Sequence, residues 1–235
     1  MAAWDLPAMK KESDIEALMK IIRLMANIFT VPEIGQHIYR EHSENYRKLI
    51  KNLKMLLEKK SDLERQNVFC IFTKELIACV LSCLTNTLYY DREMLLASNE
   101  YKSVKRELID LLVDFVVQID NEEVCCESLR VVSNLTRMKQ FIKPVLEAKL
   151  HEAVMILLDS TSKEIVYYSL GVIINLLSDD EFKSANRTVL INSILEILGE
   201  CQGEDFDIVG VSLKALSIII ENRSENIEPG QLNEI

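Results

Sequence analysis

The sequence predicts an all-α fold, a right-handed α-solenoid of about five stacked helical repeats, and three observations predict it. Gly and Pro number only 6 and 4 in 235 residues, too few for a turn-rich sandwich or a doubly wound sheet with glycine phosphate loops. The chain is 49% hydrophobic and 27% charged, with a mean hydropathy of +0.07, so it carries enough aliphatic material for a sizeable helical core. The third observation is an internal repeat. Apolar helical runs recur as IIRLMANIF (21–29), VLSCLTNTL (80–88), SLRVVSNLT (128–136), SLGVIINLL (169–177) and SLKALSIII (212–220).

These runs align on one key position, occupied by Asn27, Asn86, Asn134, Asn175 and then Ile218. An aliphatic residue stands five before it (Ile22, Leu81, Leu129, Leu170, Leu213) and an apolar residue two before it (Met25, Leu84, Val132, Ile173, Leu216). The spacings are 59, 48, 41 and 43 residues. Periods of roughly 40 to 47 residues belong to helical solenoids, in which one unit cannot bury its own face and must stack on its neighbours.

In chain order, residues 1–13 read as a flexible segment whose Trp4 and Leu6 can cover the end of the first repeat, and the solenoid spans 14–222. The stretch YRKLIKNLKMLLEKK at 46–60 is an amphipathic helix with Leu49, Ile50, Leu53, Leu56 and Leu57 inward and a solvated basic face outward; docking on acidic tubulin tails is the competing reading. The long first interval contains KKSDLERQNVFCIFTKE, an insertion or a lengthened helix after Leu57. Further on, Val116/Val117, Leu157/Leu158 and Ile197/Leu198 end the helices that precede the aligned runs. Asp120-Asn121 and Asp159-Ser160-Thr161-Ser162 supply caps for two of the runs. Residues 223–235, with Pro229-Gly230, form a polar flexible tail.

These residues resemble the armadillo repeat family, whose unit ends in a third helix of the form A-L-x-N-L. The clearest copy is MKQFIKPVLEAKLHEAVMILLDSTSKEIVYYSLGVIINLL at 138–177. Lys149, Leu150 and His151 stand where the family has glycine and proline, so the first turn of that unit is expected nearer to HEAT geometry. The segment SDIEALMKIIRLMANIFTVPEIGQHI looks like the armadillo repeat-containing proteins of cilia and flagella. That resemblance implies a non-catalytic scaffold or adaptor in axoneme assembly, with radial spoke, central apparatus or ciliary transport components as partners. The competing class is a cargo or regulatory adaptor in nuclear transport or small-GTPase signalling.

Composition and motifs exclude other classes. A net charge of −10 and a sequence pI near 5.0 repel phosphate, which sets nucleic acid and anionic lipid aside as principal partners. The charge is uneven: residues 1–60 hold 11 Lys and Arg against 8 Asp and Glu, and the remainder carries −13. No arginine-led leader and no run of about 20 apolar residues is present, so the expectation is a soluble cytoplasmic chain. The cysteines Cys70, Cys79, Cys83, Cys125, Cys126 and Cys201 lack metal spacing and read as reduced core residues. Histidine occurs at 37, 42 and 151, outside any HExxH, and phosphate-binding glycine loops are absent from the sequence. No enzyme, cofactor or metal is therefore expected.

What remains is a surface. In an armadillo stack the third helices line a concave groove, which makes Asn27, Asn86, Asn134 and Asn175 candidates for bonding the backbone of an extended peptide. The alternative is that these amides satisfy neighbouring backbone within the solenoid, and the sequence leaves both readings open. Four residues before the key position stand Arg23, Ser82, Arg130, Gly171 and Lys214. Tryptophan, typical there in importin-α-like proteins, is absent from these positions, which argues against recognition of basic nuclear signals. The three cations suggest a ligand with acidic residues.

Overall fold

The computed structural model describes residues 12–58, 70–90, 99–117, 121–201 and 205–221, and among them there is no strand. The chain divides into two compact units, Met1–Leu150 and His151–Ile235.

The first unit opens with α1 (Glu12–Phe29), a short α2 (Pro32–Glu41) and α3 (Ser43–Glu58). Pro32 suits the first turn of α2, where its missing N–H would have had no partner. Next come α4 (Cys70–Leu88), α5 (Asn99–Val116), α6 (Glu122–Thr136) and a short α7 (Lys139–Glu147). Helix α1 packs against α4 and α4 against α6, while α3 and α5 back them on the other side. The aligned runs are therefore the stacked third helices, and the helices ending in paired aliphatics form the second layer. Helix α6 starts where Asn121 accepts from the Val124 N–H at 3.2 Å, as the polar linker suggested.

In the second unit, α8 (Leu150–Ile156) continues into a 3₁₀ turn at Leu157–Asp159 and is followed by α9 (Lys163–Leu176), α10 (Asp180–Cys201) and α11 (Phe206–Glu221). Helix α11 packs on α9 and α10. Ser162 caps α9 through the Ile165 N–H at 3.4 Å, and Asp179 and Asp205 cap α10 and α11 through the N–H groups of Phe182 and Ile208.

The core follows the repeat register. Ile22, Leu81, Leu129 and Leu170, each five before the key position, are buried, as are Leu84, Val132 and Ile173 at two before it. Leu213 breaks the series at 54% exposure. The rest of α11 keeps its buried side: Ile208, Ser212, Ala215 and Ile219 are all buried, on a helix that packs against α9 and α10. Of the pair Val116/Val117 only Val116 is buried, whereas both Leu157 and Leu158 are.

The turn after α7 keeps its shape without the family's glycine. Lys149 adopts φ 58°, the left-handed region a glycine reaches freely. Chain order across α7, α8 and α9 is short helix, second helix, third helix, the armadillo plan. Four cysteines (Cys79, Cys83, Cys125, Cys126) are buried and outside any disulfide. Burial pushes the Cys83 thiol up to about 12 and the Cys125 thiol to about 11, so both behave as small hydrophobes. Helix α3 stops at Glu58; of the insertion at 59–75, residues 59–69 lie outside the described residues and 70–75 open α4, while the flexible-segment expectations for 1–11 and 223–235 also fall outside the described residues. No helix among the described residues is long and apolar enough to cross a membrane.

Candidate functional site

In the first unit, α1, α4 and α6 carry Arg23, Asn27, Asn86, Arg130 and Asn134 on successive, packed third helices. Asn86 Nδ2 donates to the Ala26 carbonyl at 3.1 Å, and Asn134 Nδ2 donates to the Thr85 carbonyl at 2.8 Å. Ala26 and Thr85 are equivalent residues, each one before the key position of its own helix. Both lie in the last turn, where the final four carbonyls lack an intrahelical donor. These two amides thus tie each third helix to the carbonyl end of the one before it. Asn134 Oδ1 accepts from Arg137 at 3.3 Å, so both ends of that amide are engaged. Asn27, on the first third helix, is exposed.

The arginines are also held. Arg23 is ion-paired to Glu75 of α4, an interaction that raises the guanidinium's affinity for its proton. Arg130 pairs with Glu127 at 2.6 Å, and Thr85 Oγ1 donates to the same carboxylate at 3.4 Å. Burial nevertheless holds the Glu127 carboxyl above the ordinary carboxylate range, against the pull of Arg130.

In the second unit, Asn175 lies on α9, half-buried, and Lys214 lies exposed on α11. The amino-terminal halves of these helices frame a cleft of about 280 Å³, lined by Lys163, Glu164, Tyr167, Tyr168, Asp205, Asp207 and Ile208. Tyr167 and Tyr168 meet edge to face with ring centroids 5.3 Å apart. Asp205 is bound to the Ile208 N–H and lies 3.5 Å from Lys163 Nζ, which leaves Glu164 and Asp207 exposed at the mouth. The cleft therefore sets three carboxylates against one ammonium, beside two tyrosines.

Sequence reasoning missed this cleft, although the alignment contained a signal. Eleven before the key position every repeat is acidic: Glu16, Glu75, Glu123, Glu164 and Asp207. The basic face of α3 resolves differently: Lys54 is buried and bonded to Glu58 and Glu107, while Lys48 pairs with Glu44 at 3.4 Å.

A stack of third helices joined by side-chain amides, with its charged residues in register, defines an armadillo-type α-solenoid. The comparisons agree on that class. No family model matches the chain. Over 90% of its length it is 26% identical to armadillo repeat-containing protein 2 of Mus musculus and 25% identical to the Bos taurus protein of the same name; it spans 22% of each. Among solved structures, a designed armadillo repeat protein in complex with a (KR)4 peptide matches 90% of this chain and 77% of its own, at TM-score 0.63 and 14% identity. Computationally designed armadillo repeat proteins for modular peptide recognition match 86% of this chain and 93% of theirs, at TM-score 0.54 and 15% identity.

Proposed function

We propose that the protein is a non-catalytic scaffold whose third-helix face binds an extended protein segment, with one basic side chain of that segment seated in the cleft of the second unit. The observation that carries this reading is the cleft: Tyr167 supplies a ring face, and Glu164 and Asp207 supply exposed carboxylates on adjacent third helices. Within the second unit Asn175 and Lys214 belong to the proposed face, and within the first unit Arg23, Asn27, Asn86, Arg130 and Asn134 belong to it. The expected preference for an acidic segment rested on three cations, and two of them, Arg23 and Arg130, are already paired to carboxylates. The (KR)4 peptide of one structural neighbour supports the basic preference.

A place in cilium or flagellum axoneme assembly, and a cytoplasmic or ciliary location, belong to this proposal through the resemblance to armadillo proteins of those organelles. Affinity capture from ciliated and non-ciliated cells separates that role from a nuclear-transport or small-GTPase adaptor. The chemistry is tested by fluorescence anisotropy with basic, acidic and uncharged extended peptides of equal length. The basic peptide is expected to bind most tightly, and Tyr167→Ala with Asp207→Lys to weaken it by about tenfold or more. Tighter binding of the acidic peptide, lost in Arg130→Glu/Lys214→Glu, contradicts the basic preference and keeps the groove. Equal binding of all three peptides, unaffected by either set, contradicts the groove.

A further inference from the structure

Each interior third helix buries two apolar stripes. One lies ten, six and three before and one after the key position: in α4 this is Leu76, Val80, Cys83 and Thr87, and in α11, which packs on the earlier α9, it is the buried Ile208, Ser212, Ala215 and Ile219. The other lies nine, five and two before and two after: in α4 this is Ile77, Leu81, Leu84 and Leu88, and in α1, which packs on the later α4, it includes the buried Leu18, Ile22 and Phe29. On α1 and α11 one stripe of each kind is exposed. On α1 the first stripe is Ala17, Ile21, Leu24 and Ile28, with Ile21 51% and Leu24 60% exposed. On α11 the second stripe is Val209, Leu213, Leu216 and Ile220, with Leu213 54% and Ile220 55% exposed.

We propose that these two stripes are complementary and that a second copy of this chain stacks its α1 on α11 of the first, head to tail. Three features carry the proposal. The stripes are the same two that meet wherever third helices already pack, as α1 meets α4 and α4 meets α6, so the contact continues an interface the fold has built. The asparagine tie has an open place on each side: Asn27 is exposed on α1, and Ser217 stands one before the key position of α11, where Ala26 and Thr85 accept on α1 and α4. The charges are matched as well. Arg23, four before its key position, pairs with Glu75, eleven before the next; across the boundary between copies the same positions are Lys214 on α11 and Glu16 on α1, both exposed.

Such an interface is heterologous, so it leaves a free head and a free tail on every dimer and extends into open chains. It also makes a sharp test possible with the full chain in sedimentation velocity. Wild-type protein is expected to gain mass as concentration rises. Leu24→Glu spoils only the head and Leu213→Glu only the tail, so each alone stays monomeric, an equimolar mixture forms a one-to-one dimer, and the double variant does not associate. Circular dichroism confirms that these exposed substitutions leave the helices intact. Glu16→Lys weakens the wild-type association by about tenfold and Lys214→Glu in the same chain restores it. A wild-type chain that stays monomeric at every concentration overturns the proposal and leaves the ends to another occupant, such as residues 1–11. A mixture that fails to dimerise, or single variants that remain dimeric, overturns it as well.

Discussion

Asn134 donates its side-chain amide to the Thr85 carbonyl, 49 residues earlier, at 2.8 Å. Asn86 does the same to Ala26. Asn86 and Asn134 therefore work inside the first unit as ties between successive third helices, each reaching a carbonyl in the last turn of the helix before it.

Replacing Asn134 with Ala removes that tie but does not orphan Thr85, whose carbonyl also accepts from the Tyr89 N–H at 3.2 Å. The expected loss is about 0.5 to 1.5 kcal/mol of stability in chemical denaturation, and Asn86→Ala should fall in the same range. A loss several times larger indicates that the amide does more than bridge two helices.

Leu170 and Leu213 occupy the same repeat position with opposite surroundings, the first fully buried and the second exposed. Leu170→Ala is expected to cost about 2 to 5 kcal/mol through lost transfer energy and a cavity, and Ile173→Ala about 2 to 4. Leu213→Ala, measured on monomeric protein at low concentration, should stay within about 0.5 kcal/mol. Equal costs for Leu170 and Leu213 contradict the stripe assignment.

Ser128, Ser169 and Ser212 stand at a third shared position, all buried. Ser128 Oγ donates to the Val124 carbonyl at 2.7 Å, whereas Ser169 Oγ and Ser212 Oγ have no partner. Ser169→Ala and Ser212→Ala are therefore expected to be neutral or stabilising by about 1 kcal/mol, and Ser128→Ala to destabilise by a similar amount. Thermal unfolding reads the sign directly.

Two carboxylates respond to acid with opposite signs. The Lys54 ammonium, helped by Ser103, holds Glu107 below its ordinary 4.5, so this contribution is present above pH 4.5 and lost as pH falls through the lowered value. Burial holds Glu127 above 4.5, so its contribution is complete below that pH and lost as pH rises through the raised value. Glu107→Gln should flatten the acid side of the stability profile and Glu127→Gln the segment just above pH 4.5.

The repeat register was legible because burial in a solenoid depends on position within each copy: Ile22, Leu81, Leu129 and Leu170 all behave alike. The caps at Asn121 and Ser162 were legible for the same local reason. The exposure of Leu213 was not, since it depends on which helices pack against α11 rather than on the sequence of that helix. Nor was the engagement of Arg23 and Arg130, because each partner carboxylate becomes visible only when helices are stacked or a helical turn is formed. Lys149 shows a further limit: sequence marked the missing glycine, but only the backbone reveals that lysine takes up the left-handed turn.

The measurement that tests the central claim most directly is heteronuclear magnetic resonance mapping of a basic extended peptide on the labelled full chain. The account predicts shifts at Tyr167, Tyr168, Asp207 and Lys214 on the third-helix face of the second unit, with Ile21 and Leu24 on α1 unmoved. Shifts confined to the basic face of α3, or to the α1 stripe, would contradict it.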